Sequence, residues 1–131
     1  MVTLTQQAET VASKRYYLKD ESGEPEENAN TLLKRVAKAI ASSEKLYGKT
    51  DADTQLTEKE FYDMMSSLNF IPNSPTLMNA GTEQGTLSAC FVLPLEDSME
   101  DIMKAAHDIA MVQKFGGGTG FALSKLRPKG D

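Results

Sequence analysis

Leu87-Ser88-Ala89-Cys90-Phe91-Val92-Leu93-Pro94 sets Leu87, Ala89, Phe91 and Leu93 in alternation with Ser88, Cys90 and Val92 before a proline ends the run. A period of two reads as a β-strand with one buried face, and proline, which has no N–H for a ladder, marks its end. Ser88 and Cys90 then lie on the face away from the leucines. Just beyond, Asp97 and Ser98, with Asp101 three residues on, start a helix whose stripe is Ile102, Ala105, Ala106 and Ile109, with Asp97 as its N-cap. The helix runs into Gly116-Gly117-Gly118-Thr119-Gly120, and a short strand is expected over residues 121–126. The chain stops at Arg127-Pro128-Lys129-Gly130-Asp131. An unpaired sheet edge at residues 121–126 is therefore expected, with a tendency to aggregate or to depend on a partner.

Toward the N-terminus, residues 70–86 carry Pro72, Pro75, Gly81 and Gly85 with almost no charge, which reads as a long loop of the kind more often functional than decorative. Before it, Thr57 and Glu60 form a capping-box pattern leading into Phe61, Met64, Met65 and Leu68, a helix that ends near Asn69. Leu32, Leu33, Val36, Ala37, Ile40 and Ala41 make one apolar stripe from Asn30 onward, and Gly48 sits where a helix would be released. Residues 4–17 place Leu4, Ala8, Val11, Ala12 and Tyr16 at helical spacing ahead of an acidic, turn-rich stretch through Pro25. A helical region over residues 1–69 is thus expected, with a boundary at 69/70.

The 131 residues are 40% hydrophobic and 25% charged, the balance of an ordinary globular protein, and no apolar run approaches the roughly 18 residues of a membrane span. The N-terminus has no basic start and no apolar core followed by small residues, so no secretory signal is read and a cytoplasmic location is expected. A net charge of −5 argues against a surface dedicated to DNA or RNA. One cysteine and one histidine exclude a disulfide framework and a zinc site built by this chain alone.

Several positions admit two readings. Free cysteine is among the most buried residue types, so packing is the default role for Cys90. If its face lines a pocket or a barrel interior, the thiol is a redox or nucleophile candidate. The glycine run lets backbone N–H groups approach an anion, yet it follows a helix, lacks a Gly-Lys-Ser/Thr ending and lacks the G-x-G-x-x-G spacing. It fits helix termination, close backbone packing or a mobile ligand contact. Lys125, Arg127 and Lys129 either clamp a phosphate or form a solvated strand face. The Asp97 carboxylate, read as a cap, is equally able to accept a ribose hydroxyl. His107 falls off the apolar stripe of its helix and reads as a surface or second-layer residue.

Three stretches taken together resemble class II ribonucleotide reductases, the adenosylcobalamin-dependent ones. They are Asn73-Ser74-Pro75-Thr76-Leu77-Met78-Asn79-Ala80-Gly81-Thr82, the strand from Leu87 to Pro94, and Phe115-Gly116-Gly117-Gly118-Thr119-Gly120-Phe121. Residues 14–20 and 35–41 look like the helical N-terminal region of the same family. The resemblance implies an α/β fold in which N-terminal helices precede the first strands and helix of a ten-stranded α/β barrel, truncated, with barrel residues from 70 to 131. It implies reduction of a ribonucleotide at its 2′ carbon: one cysteine becomes a thiyl radical that takes the 3′ hydrogen, and two others supply electrons and become a disulfide. Cys90 matches one of that reducing pair. Ser74, Ala89, Cys90 and Gly118 match substrate-contacting positions, and Asp97, Ser98 and Arg127 match positions that bind a deoxynucleoside triphosphate effector. The resemblance further implies adenosylcobalamin held mainly by downstream segments, a remaining reductase segment as partner, and a homodimer contact through Ile102 to Val112. A second reading, of a different class, is a noncatalytic nucleotide-binding or interaction module derived from that family.

The family's thiyl cysteine, its second reducing cysteine and its C-terminal cysteine pair have no counterpart here, so the chain is expected to be a truncated sequence, a piece of a split enzyme or a remnant. With Cys90 as the sole cysteine, the purified 131-residue chain is predicted to make no deoxynucleotide above background when supplied with adenosylcobalamin and a thiol reductant. Chromatographic assay of the product checks this, and measurable turnover would refute it.

Overall fold

The computed structural model describes residues 2–83, 86–114 and 116–130. Gly85 and Phe115, which the sequence reading used, lie outside the described residues. Two compact units divide the chain, Met1–Leu87 and Ser88–Asp131. No described helix is long and apolar enough to cross a membrane.

The first unit is helical. Helix α1 (Gln6–Arg15) starts at Thr5, whose hydroxyl accepts from the Ala8 N–H, and ends at Tyr16. Helix α2 (Ala29–Ala41) is opened by Asn28 and Thr31 in a capping box. Its predicted stripe is the core of the unit, with Leu32, Leu33, Val36 and Ala37 all buried. A 3-10 turn over Ser42–Tyr47 extends it until Gly48, at φ +76°, takes the left-handed conformation that a Cβ would oppose. Helix α3 (Asp51–Ser66) packs along α2.

Two expectations for this unit are corrected. The capping box of α3 is Thr50 with Asp53, not Thr57 with Glu60: the Thr50 Oγ1 accepts from the Asp53 N–H at 3.2 Å while the Asp53 carboxylate accepts from the Thr50 N–H at 3.1 Å. Asp51 and Asp53 in the first turn favour this earlier start, because carboxylates offset the positive end of the helix dipole. Residues 70–86 are not one long loop, since helix α4 (Ser74–Asn79) lies within them. Asn73 caps it, accepting from the Thr76 N–H at 3.0 Å, and Pro75 occupies its first turn, where a missing N–H costs nothing.

Arg35 on α2 joins these pieces. Its Nε and Nη2 donate to the two oxygens of Glu27 at 2.7 and 2.9 Å, a bidentate pair. Nη1 donates to the Ala80 carbonyl at 2.6 Å, and Nη2 reaches the carbonyls of Leu77 and Tyr16 at 3.2 and 3.3 Å. Glu27 also accepts the Leu18 N–H at 3.0 Å. One guanidinium thus holds the end of α1, the segment before α2 and the end of α4. Gly81 is required here twice over: its φ is +78°, and a Cβ would stand 3.1 Å from the Arg35 Cγ. These bonds, with Leu77 and Ala80 in the core, explain why the first compact unit runs to Leu87, whereas the sequence reading places a boundary at 69/70.

The second unit is a strand-helix-strand element. Strand β1 (Cys90–Val92) pairs in parallel with β2 (Gly118–Gly120), and helix α5 (Met99–Lys114) connects them, as parallel strands need a crossover. Strand β1 is shorter than the eight-residue run suggested, although the alternation of exposure persists: Ser88, Cys90 and Val92 are exposed while Leu87, Ala89, Phe91 and Leu93 are half-buried. The expected strand at 121–126 is displaced into the glycine run, and residues 124–126 form a turn closed by the Leu126 N–H to the Leu123 carbonyl at 3.1 Å. Strand pairing is a backbone property, so a run without side chains can pair wherever the backbones come close. The expected sheet edge moves with it. The cap of α5 is also reassigned: Ser98 Oγ accepts from the Asp101 N–H at 3.1 Å, whereas Asp97 is engaged elsewhere.

The side chains of Arg35 and Glu27 are 12% and 9% exposed. Replacing Arg35 with Met strands a buried carboxylate and three carbonyls, so Arg35→Met is expected to cost about 3–5 kcal/mol, read from the urea midpoint. Adding Glu27→Gln should restore part of that loss.

Candidate active site

The register of the second unit sets Cys90 beside Gly118, Phe91 beside Thr119 and Val92 beside Gly120. Neighbouring partners in a sheet project to the same face, so the exposed Cys90 thiol has beside it a residue with no side chain. The Gly118 N–H donates to the Ala89 carbonyl at 2.7 Å, and the Leu93 N–H to the Gly120 carbonyl at 2.9 Å, which fixes the two strands edge to edge. Ala89, Cys90 and Gly118 are therefore brought together, with an accessible thiol at their centre. Gly117 serves the other face, where a Cβ would lie 2.6 Å from Val112 Cγ1 and 2.9 Å from Phe91 Cε2. Its lack of a side chain lets β2 reach β1 across α5.

Asp97 and Arg127 also meet. The Arg127 Nε donates to Asp97 Oδ2 at 2.7 Å, and Lys125 pairs with Glu96 one residue away. Two of the basic residues after the glycines are thus matched to carboxylates on the segment before α5, and they do not lie on a strand face. Ser98 faces a different task, donating to the Asp101 carboxylate at 2.6 Å as it caps the helix. His107 is exposed on α5 beside Asp108, 3.3 Å from its carboxylate. The Lys104 ammonium, bonded at 2.7 Å, and then His107 hold the Asp108 carboxyl below its usual range.

Ser74 belongs to the first unit, at the first position of α4. Asn73 performs the capping, so the Ser74 hydroxyl has no helix-terminal duty and pairs instead with the Tyr16 hydroxyl at 3.0 Å. Sequence reasoning placed Tyr16 on a helix stripe and missed this pairing. No local pattern links residues 16 and 74, and a tyrosine at a helix end signals nothing about its partner. Among the described residues no group of His, Cys, Asp and Glu is arranged to hold a metal ion.

Comparison with known proteins matches residues 2–85 to the family description "ribonucleotide reductase, all-alpha domain" and residues 88–131 to "ribonucleotide reductase, barrel domain". The chain is 44% identical over 124 residues to a vitamin B12-dependent ribonucleoside-diphosphate reductase of Mycobacterium tuberculosis, covering 95% of this chain and 18% of that protein. A reductase of the same name from Thermoplasma acidophilum is 38% identical over 98% of this chain and 24% of its own length. The ribonucleoside-diphosphate reductase subunit alpha of Bacillus subtilis is 40% identical over 56% of this chain and 11% of its own length. The chain spans under a quarter of the length of these relatives.

The two central glycines are expected to respond differently to a methyl group. Gly117→Ala drives a Cβ into Val112 and Phe91 and should destabilise the second unit by about 1–3 kcal/mol. Gly118→Ala, whose Cβ would lie 3.4 Å from the Ala89 carbonyl oxygen, should cost clearly less. Denaturation midpoints of the two variants check the order.

Proposed function

This chain belongs to the ribonucleotide reductase family, and from that premise we propose that it supplies the all-alpha region and the opening of the barrel to an enzyme that reduces ribonucleotides to deoxyribonucleotides for DNA synthesis. The observation that carries this reading is the exposed Cys90 thiol on β1 beside Gly118. With no side chain on its register partner Gly118, Cys90 has room beside it for a ligand and a second thiol. In the proposed reaction Cys90 and a thiol from a segment outside this chain each give up a hydrogen and join as a disulfide. The 2′ hydroxyl leaves as water and a C–H bond takes its place, so two electrons and two protons balance.

Ser74, Ala89, Cys90 and Gly118 would contact the ribonucleotide. Asp97, Ser98 and Arg127 would bind the deoxynucleoside triphosphate effector. Since Arg127 is paired with Asp97, an incoming phosphate would take the guanidinium in exchange for that carboxylate, which is released to accept a sugar hydroxyl. Two relatives carry vitamin B12 dependence in their names, which supports adenosylcobalamin as the radical source. The family resemblance puts its site mainly in downstream segments, and no step is routed through it. The remaining reductase segment is the expected partner, and exposed Ile102, Met103 and Met111 on α5 support a homodimer contact. The setting is cytoplasmic.

Cys90→Ser in the complete reductase is expected to abolish multiple turnover, because a hydroxyl cannot form the disulfide. Serine is close to cysteine in size, so the folded state should be left nearly intact. Specific activity and the denaturation midpoint, measured on one preparation, separate these effects. Turnover at the wild-type rate would sink the redox assignment and favour the noncatalytic module.

A further inference from the structure

Ser74 donates to whatever lies before it only as well as its hydroxyl is aimed, and the aim is set from another helix. Asn73 takes the Thr76 N–H and the Thr76 hydroxyl at 3.0 and 2.7 Å, which frees Ser74 from capping. Its hydroxyl lies 3.0 Å from that of Tyr16, 58 positions earlier in the chain. Either hydroxyl can donate in this geometry, and the phenol, as the stronger acid, favours Tyr16 as donor and Ser74 Oγ as acceptor. Ser74 then keeps its own O–H for an outward acceptor, strengthened by the bond it receives.

Both ends of this pair are anchored by the same group. Arg35 donates to the Tyr16 carbonyl at 3.3 Å and to the Leu77 and Ala80 carbonyls of α4 at 3.2 and 2.6 Å. The Arg15 guanidinium lies 5.9 Å from the centre of the Tyr16 ring. The phenol and the serine are thereby held in one geometry before any ligand arrives, the arrangement that lowers the cost of ordering a polar contact on binding.

We propose that Tyr16 is a positioning residue for substrate: its hydroxyl orients Ser74 so that the serine donates to an acceptor oxygen of the ribonucleotide. This rests on the reading of Ser74 as a substrate contact given above. Tyr16 acts through Ser74 and touches no reacting atom.

The test is a double-mutant cycle in the active reductase that contains this chain, with CDP as substrate. Tyr16→Phe, which keeps the ring and removes the hydroxyl, is expected to raise KM about three- to tenfold with kcat changed less than about twofold. In a Ser74→Ala background the same substitution should have no further effect on KM. An unchanged KM for Tyr16→Phe, a change confined to kcat, or the same factor in both backgrounds would overturn the proposal, since a merely structural tyrosine acts independently of the serine. A wild-type KM for Ser74→Ala alone would overturn the substrate reading of Ser74 itself, and the positioning role with it.

Discussion

The helical unit depends on burying a guanidinium. Arg35 leaves water on the face of α2 and is repaid by a bidentate carboxylate and three main-chain carbonyls, enough acceptors to offset the desolvation of its charge. The acceptors come from three separate stretches of chain, so none can move without exposing a charge or a carbonyl. The loop that carries Glu27 is itself stiffened upstream. Asp20 accepts from the Ser22 hydroxyl and the Ser22 and Glu24 N–H groups, bonds that hold its carboxyl below the usual range, the Ser22 hydroxyl first. Tyr17, buried nearby, donates to Glu9 at 2.8 Å, and burial foremost pushes its phenol well above the ordinary value. Polar satisfaction, more than apolar area alone, specifies how α1, α2 and α4 meet.

The strand-helix-strand unit works by omission. Three residues per strand make a meagre ladder, and β2 fits against α5 because Gly117 puts no Cβ into Val112 and Phe91. On the opposite face Gly118 puts no side chain beside Cys90. Structural need and chemical opportunity therefore coincide at one glycine pair. Across the segment before α5, Glu96 and Asp97 meet Lys125 and Arg127. These pairs are exposed, where an ion pair contributes little to stability, and such a pair is readily exchanged for a stronger anionic partner.

Periodicity and composition by themselves determined a good deal. The α2 stripe, the release at Gly48 and the alternation from Leu87 to Leu93 that leaves Cys90 exposed are local properties, written in steps of two or of three and four along the chain, whereas of the expected α5 stripe only Ala105 is buried and Ile102 and Ala106 are exposed. The count of one cysteine is equally plain in the sequence. Thr50 with Asp53 and Thr57 with Glu60 have the same capping-box spacing, and the helix starts at the first of them. Tertiary structure alone decided the rest: that Gly118–Gly120 is a strand, that Asp97 bonds Arg127 while Ser98 caps the helix, that Arg35 gathers Tyr16, Glu27, Leu77 and Ala80, and that the Tyr16 and Ser74 hydroxyls meet. Apart from the Ser98 cap, each of these is a bond between groups distant in the chain, and many of the acceptors are backbone carbonyls that every residue possesses. Side-chain patterns cannot single out which carbonyl a guanidinium will find, or which glycine backbone will pair, because that choice is made by packing after the helices are in place.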